Sequence, residues 1–268
     1  MSAASLPMYD LPEVRPAEGA LWAGLARHLE REGVADVPRG LAHDQPAAAL
    51  WRRPELLLSQ CCGYDLVNEY AGELRPLATP CYLAPGCAGP IYRSIVVVAE
   101  DRQAGSLADL LGSVCAINGW DSHSGMSALR ALIAPLARQG RFFAEIRVSG
   151  AHSASLAMVA RGEADVAAID CVVHALLARH RPAALHGTRP LTATADAPAP
   201  PFVTRARAGD DLVRRLRAAL IQTFDDPALA AARADLLLAG VEILPLAAYA
   251  RIKAFERYAA RRGYPVLA

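Results

Sequence analysis

Short apolar strands alternating with helical patterns predict an α/β protein of two lobes, each a mainly parallel sheet flanked by helices. Runs such as Leu56–Gln60 and Ser94–Ala99 (Ser-Ile-Val-Val-Val-Ala) are short and apolar enough to be buried strands, and segments with helical spacing follow them, the grammar of βαβ units. A chain of 268 residues, 53% hydrophobic, can bury one large or two medium cores. The Pro/Ala/Thr stretch from Arg189 to Pro201 is too short and too embedded for a disordered tail, and suits an extended return crossing between lobes.

In chain order, the pattern predicts a strand at Ala3–Met8, a helix at Gly19–Arg31, a strand at Leu56–Gln60, helix at Leu66–Tyr70 and a strand at Leu74–Tyr82. A second set follows the strand at Ser94–Ala99. It comprises helix Leu107–Leu111, strand Val114–Ile117, helix Gly125–Ala137, strand Ala144–Val148, helix Ser153–Arg161, strand Val166–Ile169 and helix Cys171–Arg179. Residues 210–262 read as helical and are expected to pack back on the first lobe. This assigns residues 1–92 and 200–268 to lobe 1 and 93–199 to lobe 2, with hinge crossings near 88–95 and 189–202.

Charge and cysteine usage remove several functions. Twenty-eight basic against 27 acidic residues leave a formal net charge of +1, too little for a whole-molecule field that would hold nucleic acid or an anionic membrane. No apolar run reaches the length of a membrane span, so direct membrane insertion is not expected. Met1–Asp10 has neither a basic nor an apolar signal region, which predicts a cytoplasmic protein, or a periplasmic one if an export signal has been removed. The six cysteines match no zinc spacing, and neither a metal nor a cofactor is expected. Reduced thiols are the default, with a Cys81–Cys87 disulfide open if the protein is exported.

The chemistry is concentrated at strand ends. Asn118-Gly-Trp-Asp-Ser-His-Ser-Gly-Met-Ser127 follows a strand and precedes an apolar run with helical spacing at Met126, Leu129, Leu132, Ile133 and Leu136. Backbone N–H groups at such an entry, with the hydroxyls of Ser122, Ser124 and Ser127, make a site for phosphate, phosphonate, sulfate or carboxylate; Ser122 or Ser124 as a simple helix cap is the competing reading. Ser149-Gly-Ala-His152-Ser-Ala-Ser repeats the logic, and His152 either donates to an anion or bonds locally. Asp170, at the end of a buried strand, either faces a ligand or caps the next helix. Gln60 and Tyr64 flank the strand-to-helix turn Ser59-Gln-Cys-Cys-Gly-Tyr64, and Tyr92 and Arg93 lie where the chain would cross lobes.

Taken in order, Leu-Leu-Leu-Ser-Gln-Cys-Cys-Gly-Tyr (56–64), Tyr-Arg-Ser-Ile-Val-Val-Val (92–98), Ser-Leu-Ala-Asp-Leu-Leu-Gly (106–112), Ser-His-Ser-Gly (122–125) and the segment 149–170 resemble the phosphate/phosphite/phosphonate-binding proteins of ABC importers. The resemblance implies the type 2 periplasmic-binding-protein fold, two α/β lobes joined by two crossing strands that close on a ligand. It implies a small anionic ligand in the cleft, lined by Gln60, Tyr64, Tyr92, Ser122, His123, Ser124, His152 and Asp170, and an ABC permease or an unknown cytosolic protein as partner. His123 replaces the middle hydroxyl of the family's loop. A second reading is a cytosolic enzyme of cofactor biosynthesis on the same fold, using Cys61 or Cys62 with His123 or His152; a third is a ligand sensor.

Overall fold

The computed structural model describes residues 2–268, which cluster into two compact units. The first contains the residues up to Leu83, then Ala88–Pro90 and Pro198–Tyr249; the second contains Ala84–Cys87, Ile91–Ala197 and Ala250–Ala268.

The first unit holds β1 (Ala3–Ala4), α1 (Arg15–Arg31), α2 (Ala47–Trp51), β2 (Leu56–Gln60), α3 (Gly63–Val67) and β3 (Leu74–Tyr82). Helix α1 carries Pro16 as its second residue, where a missing N–H costs nothing in a first turn, and buries Leu21, Trp22, Leu25 and Leu29 along one face. The Trp22 indole N–H donates to the Pro38 carbonyl. Gly24 is required on this face, because a Cβ there would lie 2.3 Å from Leu229. The expected strand at Ala3–Met8 shortens to two residues, Ala3–Ala4, whose register on β2 is already irregular.

The second unit contains β4 (Ile91–Tyr92), β5 (Ser94–Ala99), β6 (Val114–Ile117), α4 (Ala128–Ile133), β7 (Glu145–Val148), α5 (His152–Ala160), β8 (Val166–Asp170), α6 (Cys171–His180) and β9 (Thr188–Ala193). A short β10 (Ala197–Pro198) pairs with β4, and β11 (Phe202–Arg205), α7 (Asp210–Asp225), α8 (Ala230–Asp235) and β12 (Leu238–Glu242) complete the first unit. Helix α7 packs on α1, burying Val213, Leu216, Ala219, Leu220 and Phe224.

Both sheets have five strands, ordered β1-β2-β11-β3-β12 and β7-β6-β8-β5-β9. They are mixed, which corrects the mainly parallel expectation. In the first, only β1–β2 is parallel, and β11 and β12 run against their neighbours. In the second, β7, β6 and β8 are parallel, while β5 is inserted antiparallel between β8 and β9. In each sheet one inverted strand, β11 or β5, thus parts strands of a common direction, and β12 is a second inverted strand at the edge of the first sheet. The extended stretch 189–201 contributes β9 and β10, and β12 interrupts the region read as helical.

The C-terminus differs from expectation as well. Helix α9 (Ala250–Arg261) and the tail belong to the second unit and do not return to the first. Ile252, Phe255 and Ala259 form the buried face of α9, which packs on α4. The tail is fixed by hydrogen bonds from the Phe142 and Phe143 N–H groups to the Ala268 carbonyl (2.7 and 3.0 Å) and from Arg130 to the Pro265 carbonyl (2.8 Å). Helical spacing identifies the apolar face but not the surface it meets.

Candidate functional site

The site is built on the end of β6. The apolar strand delivers Asn118, and Gly119–Asp121 turn the chain into Ser122, which is extended and accepts a hydrogen bond from the Gly125 N–H on its Oγ (3.0 Å). The chain does not enter a regular α-helix here. Ser127 N bonds the Ser122 carbonyl and Ala128 N bonds that of His123, so His123–Ser127 form one wide turn of π type before α4 begins. Such turns displace the backbone from a continuous ladder and often mark functional positions. The expected helix Gly125–Ala137 is therefore a π turn, six α-helical residues and a 3₁₀ turn ended by Pro135.

Two contacts hold this turn. The Asn118 side chain lies over Gly125 so closely that a Cβ at that position would be 1.8 Å from Asn118 Oδ1. From β5, the Ser94 hydroxyl donates to the Ser124 carbonyl (2.8 Å), fixing the peptide plane inside the turn. Helix α5 then brings His152 to the same place, with its Nε2 2.9 Å from Ser124 Oγ. The other hydroxyls of the second motif face inward, Ser149 and Ser155 bonding each other at 2.7 Å.

His123 is buried against Phe255, edge to face at 4.9 Å, with Tyr92 6.2 Å away on a tilted ring. Neither ring nitrogen has a hydrogen-bond partner. Burial alone pushes its imidazole down to about 3, so it is neutral at physiological pH. Burial also pushes His152 down to about 4, partly opposed by the Ala168 carbonyl. Around the turn, Asn118 Oδ1, both nitrogens of His123 and Ser127 Oγ are shielded from solvent and lack a hydrogen-bond partner. Buried polar atoms are nearly always paired, so this concentration is unusual for a purely structural turn.

The remaining candidates divide between the units. Tyr92, on β4, is buried in the second unit. Asp170 ends β8 opposite Ser94 of β5, and its Oδ1 accepts from Val172 N (2.8 Å) and Val173 N (3.4 Å), so it caps α6. Arg93 pairs with Asp196 at 2.6 Å. In the first unit, Gln60 Nε2 donates to the Tyr82 hydroxyl and the Pro200 carbonyl, both at 3.0 Å, while Tyr64 sits half-buried in α3. Cys61 is fully buried and its thiol is pushed far up by desolvation, which makes it a poor nucleophile.

Another titratable cluster lies in the first unit. Glu18 is buried, its Oε2 unpartnered, and burial with the nearby Asp10 charge pushes it up to about 8. Ligand atoms of Asp10, Glu18 and His43 lie within 4.8 Å of one another, but the Arg15 guanidinium already holds both Asp10 oxygens (2.6 and 3.1 Å).

Ser94, Asn118 and Phe255 complete the site, and none of the three was a candidate site residue in the sequence. Ser94 and Asn118 look like an ordinary strand start and strand end, and Phe255 lies 132 positions beyond His123 on a helix whose packing partner the sequence does not give. The inward alternation of Ser94 beside buried Val96 was the one available signal.

The family follows from residues 56–248, which match the model of ABC transporter, phosphonate, periplasmic substrate-binding proteins. That match covers well over half of the chain, and the chain belongs to this family, a class of solute-binding proteins that is normally periplasmic. Among solved structures, PhnD1 from Prochlorococcus marinus (MIT 9301) in complex with methylphosphonate is similar with a TM-score of 0.76 and 15% identity, over 97% of this chain and 98% of that one. A binding protein component of an ABC phosphonate transporter from Pseudomonas aeruginosa gives 0.75 and 16%, over 98% and 87%. A Xanthomonas citri protein bound to ATP gives 0.72 and 18%, over 98% of each chain. At these identities the likeness is one of fold, and it is the two-sheet α/β binding-protein fold. No curated protein sequence matches the chain. No helix among the described residues is long and apolar enough to cross a membrane.

Proposed function

We propose that this chain captures a small oxyanion of phosphonate or phosphate type at the Ser122–Ser127 turn, as the solute-binding component of an ABC importer whose permease is its partner. The observation that carries this reading is the cluster of shielded, unpartnered polar atoms on Asn118, His123 and Ser127 around one wide turn, with the Ser124–His152 pair beside it. The turn's own ladder begins only at Ser127 N, so the N–H groups ahead of it, apart from that of Gly125, lie outside that ladder and can form an anion-binding concavity.

His152 is neutral, and its Nε2 lies 2.9 Å from Ser124 Oγ, which fixes the serine hydroxyl at the turn. Hydrogen bonds to a charged oxyanion are worth about 1.5–3 kcal/mol each, more than neutral ones. Tyr92 is proposed as a further donor from the same unit. Gln60, whose amide is engaged within the first unit, and Asp170, which caps α6, are given structural roles.

A thermal-shift panel of methylphosphonate, aminoalkylphosphonates, phosphate, phosphite, sulfate, small dicarboxylates and ATP tests the proposal. Saturation by one phosphorus oxyanion at 100-fold its Kd is expected to add about 2.7 kcal/mol of stability, a shift of several degrees. A response to dicarboxylates alone, or to none of these compounds, would overturn the assignment.

A further inference from the structure

We propose that Cys87 and Cys171 are an oxidation-sensitive pair that closes to an intrachain disulfide. Their sulfur atoms lie 3.4 Å apart, in contact, although the residues are 84 positions apart in sequence. All six cysteines are free thiols in the structure. Cys81, the partner left open for Cys87 by the sequence, instead has its thiol 3.7 Å from Glu242 Oε1.

The backbone is arranged for the approach. Gly86 adopts a φ of +100°, a conformation other residues rarely take, and a Cβ there would stand 3.2 Å from Cys171 Cβ and 3.4 Å from its sulfur. Cys87 N bonds the Ala84 carbonyl, tightening the 84–87 segment into a turn that presents Cys87 to α6. On the other side, Cys171 is the first residue of α6, held by its N–H bond to the Arg93 carbonyl and by the Asp170 cap that precedes it. A covalent bond of about 2 Å needs the two sulfurs to close by roughly 1.4 Å, within reach of side-chain rotation.

The two thiols differ in access and acidity. Cys171 is fully buried, whereas Cys87 is half-exposed. The contact with the Cys171 thiol holds Cys87 below its ordinary value, so Cys87 is the thiol that ionises and meets an oxidant. With hydrogen peroxide as oxidant, the Cys87 thiolate attacks one peroxide oxygen, the O–O bond breaks, and Cys87 becomes a sulfenic acid while the departing hydroxide takes up the thiol proton and leaves as water. The Cys171 sulfur then attacks the Cys87 sulfur, the S–S bond forms, and a second water departs with the Cys171 proton. Two thiols are oxidised and one peroxide is reduced to two waters. A dithiol reductant reverses the step by exchange. Closure fastens the 84–87 turn to the start of α6, directly beside the Asp170 cap.

The test treats the reduced full chain with stoichiometric hydrogen peroxide, blocks remaining thiols with iodoacetamide and maps the peptides by mass. The expected result is one cross-linked species joining the Cys87 and Cys171 peptides, lighter by two hydrogens, with the other four cysteines alkylated and the cross-link lost on dithiol reduction. Cys171→Ser is expected to leave Cys87 as a sulfenic acid, trapped by dimedone, with no cross-link. Full alkylation of all six thiols after peroxide, or a cross-link between any other pair, would overturn the proposal; the wild-type map gives this answer even if a variant fails to fold.

Discussion

Two strand-to-helix turns in this molecule are written in similar sequence and differ in what they do with their polar groups. In the first unit, Ser59-Gln60-Cys61-Cys62-Gly63-Tyr64 leads from β2 into α3, and its polar atoms find partners nearby: Ser59 Oγ meets Ser5 and the Trp51 indole, and Gln60 Nε2 bonds Tyr82 and Pro200. In the second unit, Asn118–Ser127 leads from β6 through a π turn, and Asn118, His123 and Ser127 keep buried atoms without partners. A turn whose bonds close internally is a joint. One that maintains shielded donors and acceptors in place, at a cost of about 1–3 kcal/mol for each unmade bond, is expected to recover that cost from a ligand.

Gly125→Ala should separate the two most sharply. The added Cβ meets Asn118 Oδ1 at 1.8 Å and His152 Cε1 at 3.3 Å, so the turn must open. Loss of measurable phosphonate binding is expected, with an unfolding free energy lowered by about 1–3 kcal/mol in urea titrations. Retained affinity would show that the turn is not the anion site.

The units should also respond to pH in opposite directions. His123 and His152 have folded values of about 3 and 4, below the unfolded 6.5, so their contribution is complete above pH 6.5 and is lost as pH falls through 6.5 toward those values. Glu18 has a folded value of about 8 against an unfolded value near 4.5, so its contribution is complete below pH 4.5 and is lost as pH rises through 8. The Glu18 limb is worth about 5 kcal/mol, and each histidine contributes about 3–5 kcal/mol to the acid limb. Melting curves from pH 4 to 9 should show Glu18→Gln flattening the alkaline limb and leaving the acid limb in place; an unchanged alkaline limb would remove Glu18 as its source.

Smaller effects refine the contrast. Gln60→Ala removes two side-chain bonds and should cost about 1–2 kcal/mol of stability while the anion-induced shift persists. A lost shift would return Gln60 to the ligand. Ser94→Ala removes one bond to the Ser124 carbonyl, with about 1 kcal/mol expected in chemical denaturation and a modest loss of affinity.

Much of this was legible because it is local. Leu56–Gln60, Leu74–Tyr82, Ser94–Ala99 and Val114–Ile117 are strands at the residues their apolar runs indicate, and Ser124 and His152, from the two Ser/His motifs, lie 2.9 Å apart. What escaped the sequence depends on contacts between distant segments. Insertion of β5 and β11 between co-directional strands leaves no trace in the period of either strand, because an inverted buried strand is as apolar as a parallel one. The allegiance of α9 is set by Phe255 against His123 and by the tail on Phe142 and Phe143, and none of those pairings is written in helical spacing. Asp170 shows the limit at a single residue: a carboxylate at a strand end reads equally as a cap or a ligand contact until its bonds to Val172 and Val173 are known.

The central claim is that the Ser122–Ser127 turn holds an oxyanion through Ser124 and its partner His152. Calorimetric titration of methylphosphonate into the wild-type chain and Ser124→Ala tests it most directly. The account predicts saturable one-to-one binding that weakens by about 10–100-fold in Ser124→Ala, the loss of one charge-assisted hydrogen bond, with the melting temperature of the free variant little changed. Equal affinity in both proteins would contradict it and place the ligand elsewhere.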